Sequence, residues 1–110
     1  MATLTADNLP DPKDTMRTDR VDLSDLGLDG TVNVRSLSQA EMREAYKLGR
    51  EQDIEANAYI ASKAAVDDEG KPVFKITWLR SADWQIANRI AQVSQRLSNA
   101  VPEDDDEGKD

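Results

Sequence analysis

The sequence predicts a mainly α-helical domain with a short β-hairpin near its N-terminal side and disordered acidic termini. Three observations carry that prediction. Ile86, Ile90, Val93 and Leu97 recur at helical spacing, which lays them along one face of a helix. Ser38 is followed by Glu41 at the spacing of a capping box, in which hydroxyl and carboxylate each take one orphan amide. Just upstream, Val32 and Val34 alternate with polar residues, as in a half-buried strand.

Charge divides the chain. Residues 1–30 carry a net −4, residues 31–100 a net +1 and residues 101–110 a net −5, which together give the −8 of the 110-residue chain. The acidity therefore belongs to the ends. Residues 1–19, with Pro10, Pro12 and scattered apolar groups, bury too little surface to offset the entropy of ordering, and read as a disordered acidic lead-in. Residues 20–100 read as the helical domain, and residues 101–110 as a disordered acidic tail. A core drawn from roughly 70 residues is marginal and gains from a partner.

In chain order, the alternation of Val21 with Leu23, Leu26 with Leu28 and Val32 with Val34 predicts strands, and Asp29-Gly30 predicts a turn between the last two pairs. A two-residue loop would put leucines and valines on opposite faces. A looser connection, Asp29 to Thr31, pairs Leu28 with Val32 and Leu26 with Val34 on one face, and is the expected form. The first helix is expected over Gln39 to Leu48, with Leu37 and Met42 packing across its start and Met42, Ala45 and Tyr46 on one face. Gly49 either ends it or weakens it.

A second helix is expected over Glu51 to Val66, where Ile54, Ala58, Ala61 and Ala65 make a narrow stripe that lets another helix approach. Asp67 to Pro72 reads as a turn, and Val73 to Ile76 as a short strand or an extended link. The last helix is expected over Ala82 to Asn99, capped by Ser81 or Thr77, with Trp84 near its start and Pro102 beyond its end.

The residue types exclude much chemistry. With no cysteine and no histidine, disulfides, thiolate zinc sites and imidazole chemistry are ruled out. Placing Gly70 as the glycine of a calcium loop puts Ala65 and Ile76 at the first and last ligand positions, where neither side chain has an oxygen. No serine sits in a glycine-flanked elbow, and no phosphate-cradling glycine motif occurs. The expectation is a non-enzymatic protein without catalytic residues, cofactor or metal. No apolar run approaches the ~20 residues of a membrane span. The N-terminus lacks the basic and apolar regions of a secretory signal. A net charge of −8 disfavours nucleic acid and anionic membrane as partners.

Trp78 and Trp84 lie beside the final helix. Aromatics are frequent interface anchors, but in a small domain they more often anchor the core, and Trp84 is expected to be the more buried because it leads the apolar face. Arg35 reads as an ordinary surface residue. The pattern assigns no partner-binding residues.

Three motifs in order resemble a known family. Val34-Arg35-Ser36-Leu37-Ser38-Gln39-Ala40-Glu41, then Asp67 with Gly70-Lys71-Pro72-Val73-Phe74, then Leu97-Ser98-Asn99 are similar to stretches of the small tail assembly chaperones of long-tailed bacteriophages, over roughly residues 31–100. The resemblance implies a protein that binds the tape measure protein and keeps it soluble in the host cell cytoplasm while tail tube protein assembles around it. It also implies absence from the mature virion, self-association into a homo-oligomer, and a longer form made by programmed frameshifting. Two readings compete: an acidic DNA mimic or inhibitor, and a small virion structural adaptor. A DNA mimic should spread acids over its folded surface, whereas here the domain is near neutral.

Overall fold

The computed structural model describes residues 3–98 except residue 52, with the side chains of residues 51–54 outside the description. The acidic tail, Asn99 and the side chain of Ile54 therefore lie outside the described residues. Mainly helical architecture is what the chain adopts, with a three-stranded antiparallel sheet in order β1-β2-β3. Its elements are β1 (Thr18–Asp22), β2 (Thr31–Arg35), α1 (Gln39–Glu51), α2 (Asp53–Ala64), β3 (Ala65–Val66), α3 (Ile76–Ser81) and α4 (Trp84–Ser98). Ahead of β1, residues 3–17 carry two short 3-10 turns, Ala6–Asn8 and Pro12–Thr15.

The hairpin differs from the expected one in its first strand. β2 pairs with β1, Val32 opposite Val21 and Val34 opposite Asp19, and not with Leu26 and Leu28. The backbone of Arg17 and Ser36 extends this pairing, with the Ser36 N–H donating to the Arg17 carbonyl over 2.7 Å. Leu26 and Leu28 instead occupy the connection, where a 3-10 turn over Ser24–Leu26 ends at Gly27 with φ +93°. Ser24 starts that turn by donating its amide to the Asp22 carboxylate. A local turn thus won over strand alternation, and it still delivers both leucines to the rim of the core.

α1 begins as the capping pattern dictates. The Ser38 N–H donates to Glu41 Oε1 at 2.9 Å, and the Glu41 N–H donates back to Ser38 Oγ at 3.2 Å. Gly49 lies inside α1, which runs on to Glu51. α2 ends two residues short of the expected Val66, because Ala65 and Val66 pair with Val34 and Asn33 as β3. The Asp67–Lys71 turn closes behind it, with Gly70 at φ +84°.

The final helix, α4, falls within the expected Ala82–Asn99, and a short helix that the sequence did not announce, α3, precedes it. Thr77 and Ser81 both fall inside α3, and α4 is capped by Asp83, whose carboxylate accepts the Gln85 amide at 2.9 Å. Aspartate at this position satisfies the first orphan donors better than a helix continuing through Ala82 would.

The core lies between the inner face of the sheet, α2 and α4. Leu23, Val34, Ile60 and Ile90 are fully enclosed, and Ala58, Ala61, Ala64, Ala87 and Ala91 pack among them. The alanines explain how α2 and α4 come so close: small side chains let two helix backbones approach. α4 also carries Ser94 at the bottom of this contact, buried and donating to the Arg35 carbonyl. One turn on, Ser98 Oγ accepts the Leu37 N–H at 2.8 Å. Two hydroxyls of the last helix thereby hold the β2–α1 junction.

Candidate partner-binding surface

α2 is the central helix, packed by α1, α3 and α4. A groove opens on each of its flanks. The first, about 480 Å³, is lined by Met42, Ala45, Tyr46 and Gly49 of α1, Ala56, Asn57 and Ile60 of α2, and Gln95 of α4. The second, about 230 Å³, is lined by Ala58 of α2, Leu79 and Arg80 of α3, and Trp84 and Ala87 of α4, among others. Asn57 lines both grooves and reaches the Asn88 side chain at 3.4 Å.

Three aromatic side chains stand open on the surface, Tyr46 in the first groove and Trp84 in the second. Tyr46 is 66% exposed, Trp84 58% and Trp78 44%. Trp78 stacks on Phe74 with ring centroids 5.2 Å apart. The expectation that the tryptophans anchor the core, Trp84 foremost, is therefore corrected. Trp84 precedes Ile86 by two residues, which at 3.6 residues per turn turns it about 200° away from the buried face. Tyr46 follows the buried Ala45 and is likewise rotated outward. Exposed aromatics beside open clefts are anchors of the kind that protein interfaces use.

Ion pairs brace the surface. Glu55 accepts from Arg80 across the second groove, and Asp25 holds Arg89 in a forked pair at 2.6 and 2.9 Å. Hydrogen bonding from Arg89 holds the Asp25 carboxyl below the usual carboxylate range. Arg35 is more than a surface residue: it clasps Glu41 with two bonds of 2.9 and 2.8 Å and also donates to the Ser36 carbonyl. That clasp lowers the Glu41 pKa, with the Ser38 backbone amide adding to the effect. Burial pushes the Tyr59 phenol up, and the carboxylates of Glu41 and Glu44 reinforce it.

The acidic turn serves structure. Asp67 accepts the amides of Glu69 and Lys71, and Asp68 is held by Asn33 and Arg20 from the outer face of the sheet. Among the described residues, no group of three or more acidic side chains is arranged to hold a metal ion. Among them, too, no helix is long and apolar enough to cross a membrane.

This arrangement of sheet and helices has been seen before. The bacteriophage HK97 tail assembly chaperone superposes on it over 92% of this chain and 90% of that one, with a TM-score of 0.63 and 16% sequence identity. The two chains share one fold. No family model matches the sequence, and no curated protein matches it significantly. At that level of identity the HK97 chaperone informs architecture, and the grooves and aromatics described above are features of this chain's own side chains. Sequence patterning missed the grooves because each is assembled from three helices, and no single element carries its signal.

Proposed function

We propose that this protein is a phage tail assembly chaperone, which binds the tape measure protein and keeps it soluble in the host cytoplasm while the tail tube forms. The fold shared with the HK97 tail assembly chaperone along almost the whole chain is the observation that carries this reading. The chain's own surface supports it. A holdase needs no catalytic constellation; it needs grooves into which helices of a client can settle, and Tyr46 and Trp84, each exposed on the lining of an open groove, offer that.

Five acids of the folded part weigh against a DNA mimic. Asp19, Asp25, Glu41, Glu55 and Asp68 are each matched with an arginine of the same chain, so they do not form a free phosphate-like array. The reading is tested by co-expression with a candidate tape measure protein. The expected result is a soluble complex that co-elutes in size exclusion. An insoluble partner, unchanged by the presence of this chain, refutes it.

A further inference from the structure

One face of α1 is basic and unmatched. Arg43, Lys47 and Arg50 recur at helical spacing along it and line a shallow outer groove with Gln39, Ala40 and Glu44. Among the described residues none of these three cations has a carboxylate partner, whereas Arg20, Arg35, Arg80, Arg89 and Arg96 each do. Three cations in one row on a helix face, with no carboxylate against them among the described residues, suit an anion.

The chain itself carries one, and the fold puts its root at the right place. Ser98, the last residue of α4, bonds the Leu37 amide, next to the Ser38 cap of α1. The chain continues with a segment holding Glu103, Asp104, Asp105, Asp106 and Glu107. From Ser98, Glu103 is within reach of points up to about 17 Å away and Glu107 up to about 30 Å. α1 is about 20 Å long, so the stripe and the acids overlap in reach. Tethering supplies an effective concentration in the millimolar range, which lets exposed ion pairs that are individually weak act together.

We propose that the acidic segment 103–107 docks in cis along the Arg43–Lys47–Arg50 face of α1. Docked there, it lies beside the groove that Met42, Tyr46 and Arg50 line, and a client entering that groove has to compete with it. The docking itself does not depend on the chaperone reading and is tested without any client.

Carbodiimide coupling of the full chain, read by mass spectrometry, joins Lys47 to any carboxylate that pairs with it. The expected product is a Lys47 link to one of residues 103–107. Its yield should fall at least five-fold in the double variant Arg43→Gln, Arg50→Gln, and again in about 0.5 M salt, where the screening length shrinks to a few ångströms. An equal mixture of isotopically light and heavy chains should give links within one chain only. In parallel, neutralising the segment (Glu103→Gln, Asp104→Asn, Asp105→Asn, Asp106→Asn, Glu107→Gln) should shift the amide resonances of residues 43–50. Absence of the link, a yield indifferent to the double variant, mixed-isotope links, or unmoved α1 resonances would each overturn the proposal.

Discussion

Ser94 donates its hydroxyl to the backbone carbonyl of Arg35 over 2.8 Å, from a position with no exposed surface. The bond spans 59 residues of sequence and ties the last helix to the end of β2. Because Ser94 is fully buried, removing its hydroxyl takes away the donor that this carbonyl has from α4. Ser94→Ala should therefore lower the unfolding free energy by about 1–3 kcal/mol, read as a lower urea midpoint with an unchanged slope.

Glu41 links stability to pH. Its carboxyl is held below the ordinary glutamate value, chiefly by its bonds from Arg35. A group depressed on folding contributes stability that is present above its unfolded pKa and lost as pH falls through the folded one. The urea midpoint should accordingly decline as pH drops below about 4.3, and Glu41→Gln should make that decline shallower. Near neutrality the same variant should cost about 1 kcal/mol through the weakened cap and clasp.

The exposed aromatics separate binding from folding. Trp84→Ala and Tyr46→Ala truncate side chains that are mostly exposed and should cost about 1 kcal/mol, well short of a core truncation. If the grooves receive the client, both should weaken the co-eluting complex. Ile60→Ala, in the enclosed core, should cost about 2–5 kcal/mol and serve as the contrasting control.

Gly49 offers a gain. It sits inside α1, and a methyl group there would meet the Ala56 Cβ at 3.8 Å, an ordinary contact. Gly49→Ala should stabilise the protein by about 0.5–1 kcal/mol through helix propensity, seen as a raised melting temperature.

What the sequence displayed and what it hid follow from how far each signal reaches. The start of α1 was legible because a capping box is written within four residues, and the face of α4 because its period is local. The sheet pairing was not. β1 reads Thr-Asp-Arg-Val-Asp with a single apolar side chain, so the alternation of Val21 with Leu23 marks only its end and not its partner. It pairs because β2 offers an edge and Arg17 can bond both Ser36 and the Leu97 carbonyl on α4. Trp84 misled because its closeness in sequence to the apolar face was taken without its angle around the helix. The small helix α3 is not legible because it is only six residues long, with Leu79 its one buried side chain, and Thr77 and Ser81 within it are themselves plausible caps.

The double hold of Ser94 and Ser98 on the β2–α1 junction bears on the order of events during synthesis. Segments emerging from the ribosome can pair only with what has already been made. β1, β2 and α1 appear first, yet the hydroxyls that secure their junction belong to the last helix and arrive some 60 residues later. The nascent chain must therefore wait, with the α4 side of its core uncovered, until α4 is translated. Final closure is then a single late event, and a nascent chain stalled before Ser94 should be a target for proteases.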